Sequence, residues 1–423
     1  MKRFRAAMPV LLTIGFATIV GVEAVNAKTV EEKWPDGTVK VRREFTDDVQ
    51  GRPVQNGMET RFGPGGTKES EMTYEYGMLD GPWKEFYLNG KLKAEGAYKH
   101  GQKDGIETDY SESGQKSTEV NYSNGRRDGA CTQWSNGQKV LEATYEDGHF
   151  AGTLRQWYGK GTPRLIQNYQ AGILNGPEQR WFADGTKFTS ANYINGLRDG
   201  EYLEWYPTGR LKIRTNYKGG QLEGKAEEFF ADGALKNIGA YHNGVPDGLW
   251  KEWYELAPTA DNSKADSTDG ASGSENKDSA TAEKASDSSS AAAGGATPAA
   301  KDKGSDAKKI TELDPTKQHV LAAERNYRRG QMDGKQVTYH KNGHKQMEIT
   351  LVNGSREGPY VEWYDNGQVR SEGRFYKDQN DGEVSYWYDD GRPWAVYNYF
   401  RGRPTGRWLQ WDRDGHVVTD QRY

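Results

Sequence analysis

The chain has 423 residues, 34% hydrophobic and 28% charged, with 57 Lys+Arg against 61 Asp+Glu, a net charge of -4 and a mean hydropathy of -0.99. So polar a composition excludes several closed cores, and the lack of a basic excess argues against a nucleic-acid partner, which needs a positive face for phosphates. The only cysteine is Cys131, so no intramolecular disulfide can form and stability has to come from pairing and packing.

Residues 1–27 read as an export signal. Lys2, Arg3 and Arg5 precede an apolar run from Ala6 to Val22, and Val25-Asn26-Ala27 has the small-residue pattern of a cleavage site. Cleavage near Ala27 implies a periplasmic or extracellular protein. An N-terminal membrane anchor is the minor alternative, because the run is short for a span and contains Pro9.

Beyond the signal the chain repeats itself. A glycine returns as Gly57, Gly81, Gly105, Gly129, Gly152, Gly176, Gly200, Gly224 and Gly248, then as Gly334, Gly358, Gly382 and Gly406. The step is 24 residues, except 23 from Gly129 to Gly152 and 86 from Gly248 to Gly334. Five residues after each glycine stands an aromatic; Phe86, Trp134, Trp157, Trp181, Trp205, Trp253, Trp363, Trp387 and Trp411 form the expected core row. Seventeen residues after the glycine, or sixteen in the short copy, comes a second aromatic, as in Tyr98, Tyr217 and Phe375; only Leu351 breaks that row.

Each unit holds two runs of seven or eight residues around an x-[DN]-G tip, without the i, i+3, i+4 spacing of a helix. Aromatic-rich runs punctuated by N-G and D-G read as β-hairpins. Tips such as YPTGR suit a type I turn closed by a left-handed glycine, with Pro207 where that turn favours proline. Strict alternation from such a tip puts Trp205 across from Leu211, on one face with Ile213 and Tyr217. In the short copy a two-residue Asn136-Gly137 turn restores parity and groups Trp134, Leu141, Ala143 and Tyr145; the first hairpin does the same for Trp34, Val39, Val41 and Phe45. That face is expected to be the packed one. The opposite face then carries Tyr87, Tyr158, Phe182, Tyr206, Phe230, Tyr254, Tyr364 and Tyr388, with Trp83, Tyr202, Trp250, Tyr360 and Trp408, and is the candidate binding surface.

The long step divides the array into residues 28–256 and 319–423. Val320 to Tyr327 matches the second strand of other copies, so one hairpin tip carries 62 extra residues (86 minus 24). Ala257 to Lys309 has no large apolar side chain, and residues 257–318 are expected to be a disordered, low-complexity insert.

The spacing of Tyr193, Gly196, Gly200, Trp205, Tyr206 and Gly209 resembles the MORN repeat, in particular its bacterial variant form. The resemblance runs from about Trp34 to Tyr423 apart from the insert. It implies an elongated all-β antiparallel meander, or solenoid, of about thirteen hairpins serving as a binding or scaffolding module. In some relatives that module works at membranes, so membrane contact stays open here, and some bacterial members are labelled antitoxin components.

Chemistry-bearing motifs are few. None of the seven histidines has metal-ligand spacing; His340 and His344 flank one tip, and Asp378 to Glu383 only faintly resembles a calcium loop. No nucleophile elbow or phosphate loop occurs, so neither an enzyme nor a cofactor or metal is expected. An active site would have to be built from carboxylates such as Glu204 or Glu362. The expected function is a non-catalytic scaffold of the bacterial cell envelope that binds protein partners through aromatics. The alternatives are cell-wall glycan binding by stacked aromatics, with tandem copies adding avidity, and an antitoxin-like role.

Overall fold

A computed structural model of the chain describes residues 28–255 and 319–423; the expected export signal and the whole of the expected insert lie outside the described residues. The described residues form 34 β-strands and no α-helix. They divide into two units: the first takes the described residues up to Thr186 with Asn192–Leu197, the second Lys187–Ala191 and the described residues from Arg198 to Tyr423. Within each unit, successive strands run antiparallel as hairpins, the meander that the repeat predicts.

The copy at Gly200 shows how local chemistry builds a hairpin. Strands Gly200–Trp205 and Leu211–Lys218 are joined by a turn in which Tyr206 N–H donates to the Arg210 carbonyl at 2.8 Å and Gly209 N–H to the Tyr206 carbonyl at 2.9 Å. Gly209 sits at φ +81°, as a type I turn closed by a left-handed residue requires. The connection between hairpins has its own device: the acid before the repeat glycine accepts the N–H of the left-handed residue at the next bend. Asp80 takes His100 N–H and Asp333 takes Asn353 N–H, each at 3.0 Å, so the D-G dipeptide locks a turn twenty residues further on. Strand Val245–Trp253 pairs with Leu321–Arg328, which makes one hairpin of the two segments flanking the insert. His319 clasps its tip, with Nδ1 2.7 Å from the Tyr254 carbonyl and Nε2 2.8 Å from the Asp232 carboxylate.

Strict alternation fails at one place in the hairpin, and this reverses the expected faces. Trp205 does pair with Leu211, but Glu204 pairs with Ile213, leaving Lys212 as an extra residue. This is a β-bulge on the second strand. Lys212 points to the Glu204 side, donating to Glu204 Oε1 at 2.7 Å with its ammonium 5.8 Å from the centre of the Tyr206 ring. Beyond the bulge, Ile213, Thr215 and Tyr217 therefore share a face with Tyr202, Glu204 and Tyr206, and Trp205 and Leu211 lie on the other. The same shift leaves Lys93, Lys236, Arg370 and Trp394 unpaired in their hairpins.

The short copy at Gly129 and the first hairpin repeat this correction. In the copy at Gly129 the turn is as expected, with Asn136 and Gly137 at φ +50° and +75°, but Gln133 pairs with Leu141, so Trp134 is parted from Leu141, Ala143 and Tyr145. In the first hairpin Glu32 pairs with Val41 and Lys33 with Val39, so Val39 leaves the face of Val41. Trp34 takes the place that Tyr206 has in its copy, its indole N–H donating to the Phe62 carbonyl at 3.2 Å.

Most of the buried apolar residues lie on the corrected face, Val337 on the other being an exception. Trp83, Ala94, Cys131, Leu154, Ala226, Tyr360, Val384 and Ala395 are buried, and all lie on the Tyr202 face. The expected core row, Phe86 through Trp411, is half-buried at each position on the other face. There the rings meet charge: Lys187 lies 5.9 Å from the Trp205 ring, and the Tyr110 hydroxyl donates to Glu95 at 2.8 Å. Volumes on the packed face are matched in pairs. Trp83 faces Gly96 and Tyr360 faces Gly373 across the strands, and a Cβ on those glycines would approach the rings to 2.8 and 3.0 Å.

Candidate functional site

The side chains expected to bind a partner are on the packed face, where they take two different positions. The residues just after the core row sit at the tips and join each repeat to the next. The hydroxyls of Tyr87, Tyr158, Tyr206, Tyr254, Tyr364 and Tyr388 donate to the carbonyls of Tyr110, Trp181, Phe229, Tyr339, Trp387 and Trp411 at 2.6 to 3.0 Å. His340 holds the same place, with Nε2 2.9 Å from the Trp363 carbonyl. Each such bond contributes about 0.5–1.5 kcal/mol. Phe182 is half-buried, and Phe230 is buried with its ring stacked 4.8 Å from His319. These rings have a structural task whatever else they do.

Of the second set, two residues after the repeat glycine, Tyr202, Trp250 and Tyr360 line open depressions. In the second unit, Ala226 stands where the neighbouring copies have Tyr202 and Trp250. The space it leaves is a trough of about 370 Å³ walled by Tyr202, Tyr217, Tyr241 and Trp250. The Tyr202 hydroxyl donates to Glu204 at 3.0 Å, and burial, with the charge and hydrogen bond of Glu204, pushes its pKa up to about 12. The Thr215 hydroxyl, on the same trough, is buried without a protein partner. A second trough, of about 610 Å³, opens where Leu351 interrupts the row of tyrosines; Met332, Met347, Ile349, Tyr360 and Phe375 line it. Burial raises the Tyr360 pKa above the ordinary phenol value.

The carboxylates singled out for catalysis are kept apart. Glu204 lines the first trough and is ion-paired with Lys212 at 2.7 Å, whereas Glu362 lines the second and accepts from Ser371 at 2.9 Å. His340 and His344 turn to different carbonyls, those of Trp363 and Asp365. In the segment from Asp378 to Glu383, Asp378 pairs with Arg356 at 3.2 Å and Asp381 accepts Arg401 N–H at 3.1 Å. Among the described residues, Asp412, Asp414 and His416 at a solvated tip could approach one cation, but Asp412 Oδ1 already accepts two backbone N–H groups at 2.9 Å.

Sequence reasoning missed the troughs and the bulge that sets their face. One signal was available: the break of the tyrosine row at Leu351 marks the larger trough.

Five segments, residues 79–100, 103–124, 198–218, 332–353 and 356–378, match the family model described as MORN repeat variant. No curated protein matches the chain. Among solved structures, one titled "Crystal Structure of TcdB2-TccC3" is similar over 92% of this chain at 9% identity, with a TM-score of 0.16, a likeness too slight to bear on fold or function. This chain spans 20% of that one. Glycine spacing, hairpin geometry and these five matches agree: the chain is a repeat protein, and five of its segments match the MORN repeat variant.

Proposed function

We infer that the chain is a non-catalytic scaffold of the bacterial cell envelope, exported by its N-terminal segment, that binds protein partners on the Tyr202 face. The observation that carries this reading is the pair of aromatic-walled troughs on a face held in register by the inter-repeat tyrosine bonds. Rigid aromatic surface with polar rims suits protein recognition, since Tyr and Trp bury large area at little entropic cost. Support for a non-catalytic role comes from the engagement of Glu204 and Glu362 in separate troughs.

The test is capture by the immobilised full chain from three sources: envelope protein extract, peptidoglycan and lipid vesicles. Saturable retention of a defined protein, and of neither other source, is expected. Retention of peptidoglycan or vesicles alone would replace the protein partner with a glycan or a membrane, and no retention from any source would remove the binding role.

A further inference from the structure

We propose that the trough at Leu351 receives an aromatic side chain, tryptophan or tyrosine, from an extended segment of a partner protein. The proposal rests on the protein-partner reading above and names what the partner must present. Of thirteen copies, twelve have an aromatic ring at this position of the repeat, and one has Leu351. The ring is missing in the wall of this trough, and the hole it leaves is open to solvent.

The neighbours of the gap are arranged for a ring. In the copy at Gly129, Arg127 pairs with Tyr122 across the strands and lies 5.4 Å from the Tyr145 ring, so it has an aromatic partner on both sides. Arg356 holds the corresponding place beside the gap. It lies 4.1 Å from the Phe375 ring on one side, but on the other it pairs with Leu351. A guest ring seated over Leu351 would supply the missing aromatic partner, through a cation–π contact. Met332 and Met347 line the same trough, and thioethers adapt to an inserted ring with favourable sulfur–aromatic contacts.

Charge disfavours an acidic occupant. Arg356 pairs with Asp378 and Arg325 with Glu252, each at 3.2 Å, and Glu362 accepts from Ser371. The rim cations Arg356 and Arg325 are thus already paired and offer little to an acidic side chain, whereas the guanidinium face of Arg356 is matched by the negative face of an uncharged ring. The first trough has no such vacancy beside a cation, because Arg198 already lies over both Tyr202 and Tyr217, at 4.7 and 5.3 Å.

The experiment uses the full chain with 13C-labelled methionine methyls, titrated with N-acetyl-L-tryptophanamide and, as an aliphatic control, N-acetyl-L-leucinamide. Saturable shifts of the Met332 and Met347 methyl signals are expected with the first probe and not with the second. Leu351→Tyr, which puts the repeat's own ring in the gap, should abolish those shifts while leaving thermal unfolding at or above the wild-type temperature. Arg356→Gln, which leaves Leu351 untouched, should weaken the probe by roughly three- to tenfold, the size of one partly desolvated cation–π contact. It also keeps the test decisive should Leu351→Tyr fail to fold. Absence of shifts in the wild type, equal shifts in Leu351→Tyr, or unchanged affinity in Arg356→Gln would each overturn the proposal. An envelope protein retained equally by wild type and Leu351→Tyr would leave the scaffold reading standing and remove this site. Probe binding with no protein retained would do the reverse.

Discussion

Gly239 gives the sharpest test of the packed face. It pairs with Ala226 and lies under the Trp250 ring, so a Cβ added there would stand 2.1 Å from Trp250 Cδ2 and 2.2 Å from Cε2. Ordinary contact begins at 3.4 Å, so Gly239→Ala forces the ring outward by about 1.3 Å (3.4 minus 2.1). The ring is not free to move, because its indole N–H donates to the Ala240 carbonyl at 3.1 Å. Overpacking of this kind costs about 1–3 kcal/mol, and loss of the hydrogen bond adds about 1 kcal/mol. Against this, alanine restricts the unfolded chain and returns about 0.4–1 kcal/mol. The expected net loss is therefore about 1–3 kcal/mol, read by urea unfolding with far-ultraviolet circular dichroism and tryptophan emission recorded together. Trp250→Phe in the same chain should recover part of the loss, since the two sites are in contact and not additive. If Gly239→Ala is as stable as wild type or more so, Trp250 does not lie on Gly239 and the volume matching on this face is wrong.

Three further expectations concern the polar contacts. Tyr206→Phe and Tyr364→Phe each remove one inter-repeat hydroxyl bond and should lower stability by about 0.5–1.5 kcal/mol, with amide exchange accelerated in the Phe229 or Trp387 hairpin; unchanged exchange would show the ladder to be incidental. His319→Phe keeps a ring against Phe230 but removes the imidazole contacts to the Tyr254 carbonyl and the Asp232 carboxylate, and is expected to cost about 1–3 kcal/mol in urea; a neutral result would mean that the stacking on Phe230 is what matters there. Burial opposes ionisation of Glu59, but bonds from Arg61 at 2.7 Å and Arg43 at 2.8 Å overcome it and hold the carboxyl below its usual range. A lowered folded-state pKa gives stability that is complete above the ordinary glutamate value, about 4.3, and is lost as pH falls through the folded value. Acid titration of wild type against Glu59→Gln, followed by circular dichroism, should show a steeper loss below about pH 4 in the wild type. Coincident acid limbs would remove Glu59 from the account.

Much of the fold is legible in the chain because turns are local. The D-G and N-G tips, Pro207 and the short Asn136-Gly137 turn each impose their backbone angles within four residues, and Gly209, Asn136 and Gly137 adopt the angles expected of them. The candidate site is less legible. Alternation puts Tyr206 and Tyr202 together on one face, where they are found, but puts their partners across the hairpin on the wrong side. Alternation predicts a face only while both strands stay regular, and the extra residue at Lys212 breaks it without a sequence signature as strong as a glycine. The tip tyrosines looked free because their hydroxyl acceptors lie 23 residues away, beyond the reach of any local pattern.

The sequence by itself determined the repeat, its hairpins and the residue types at each station, because periodic glycines and aromatics act through backbone conformation and strand preference. Tertiary structure alone decided which face packs, which tyrosines join neighbouring repeats and where the troughs open. Those depend on cross-strand register and on volumes brought together from different copies: Ala226 is ordinary until it stands between Tyr202 and Trp250, and Leu351 until Arg356 and Phe375 surround the ring it lacks.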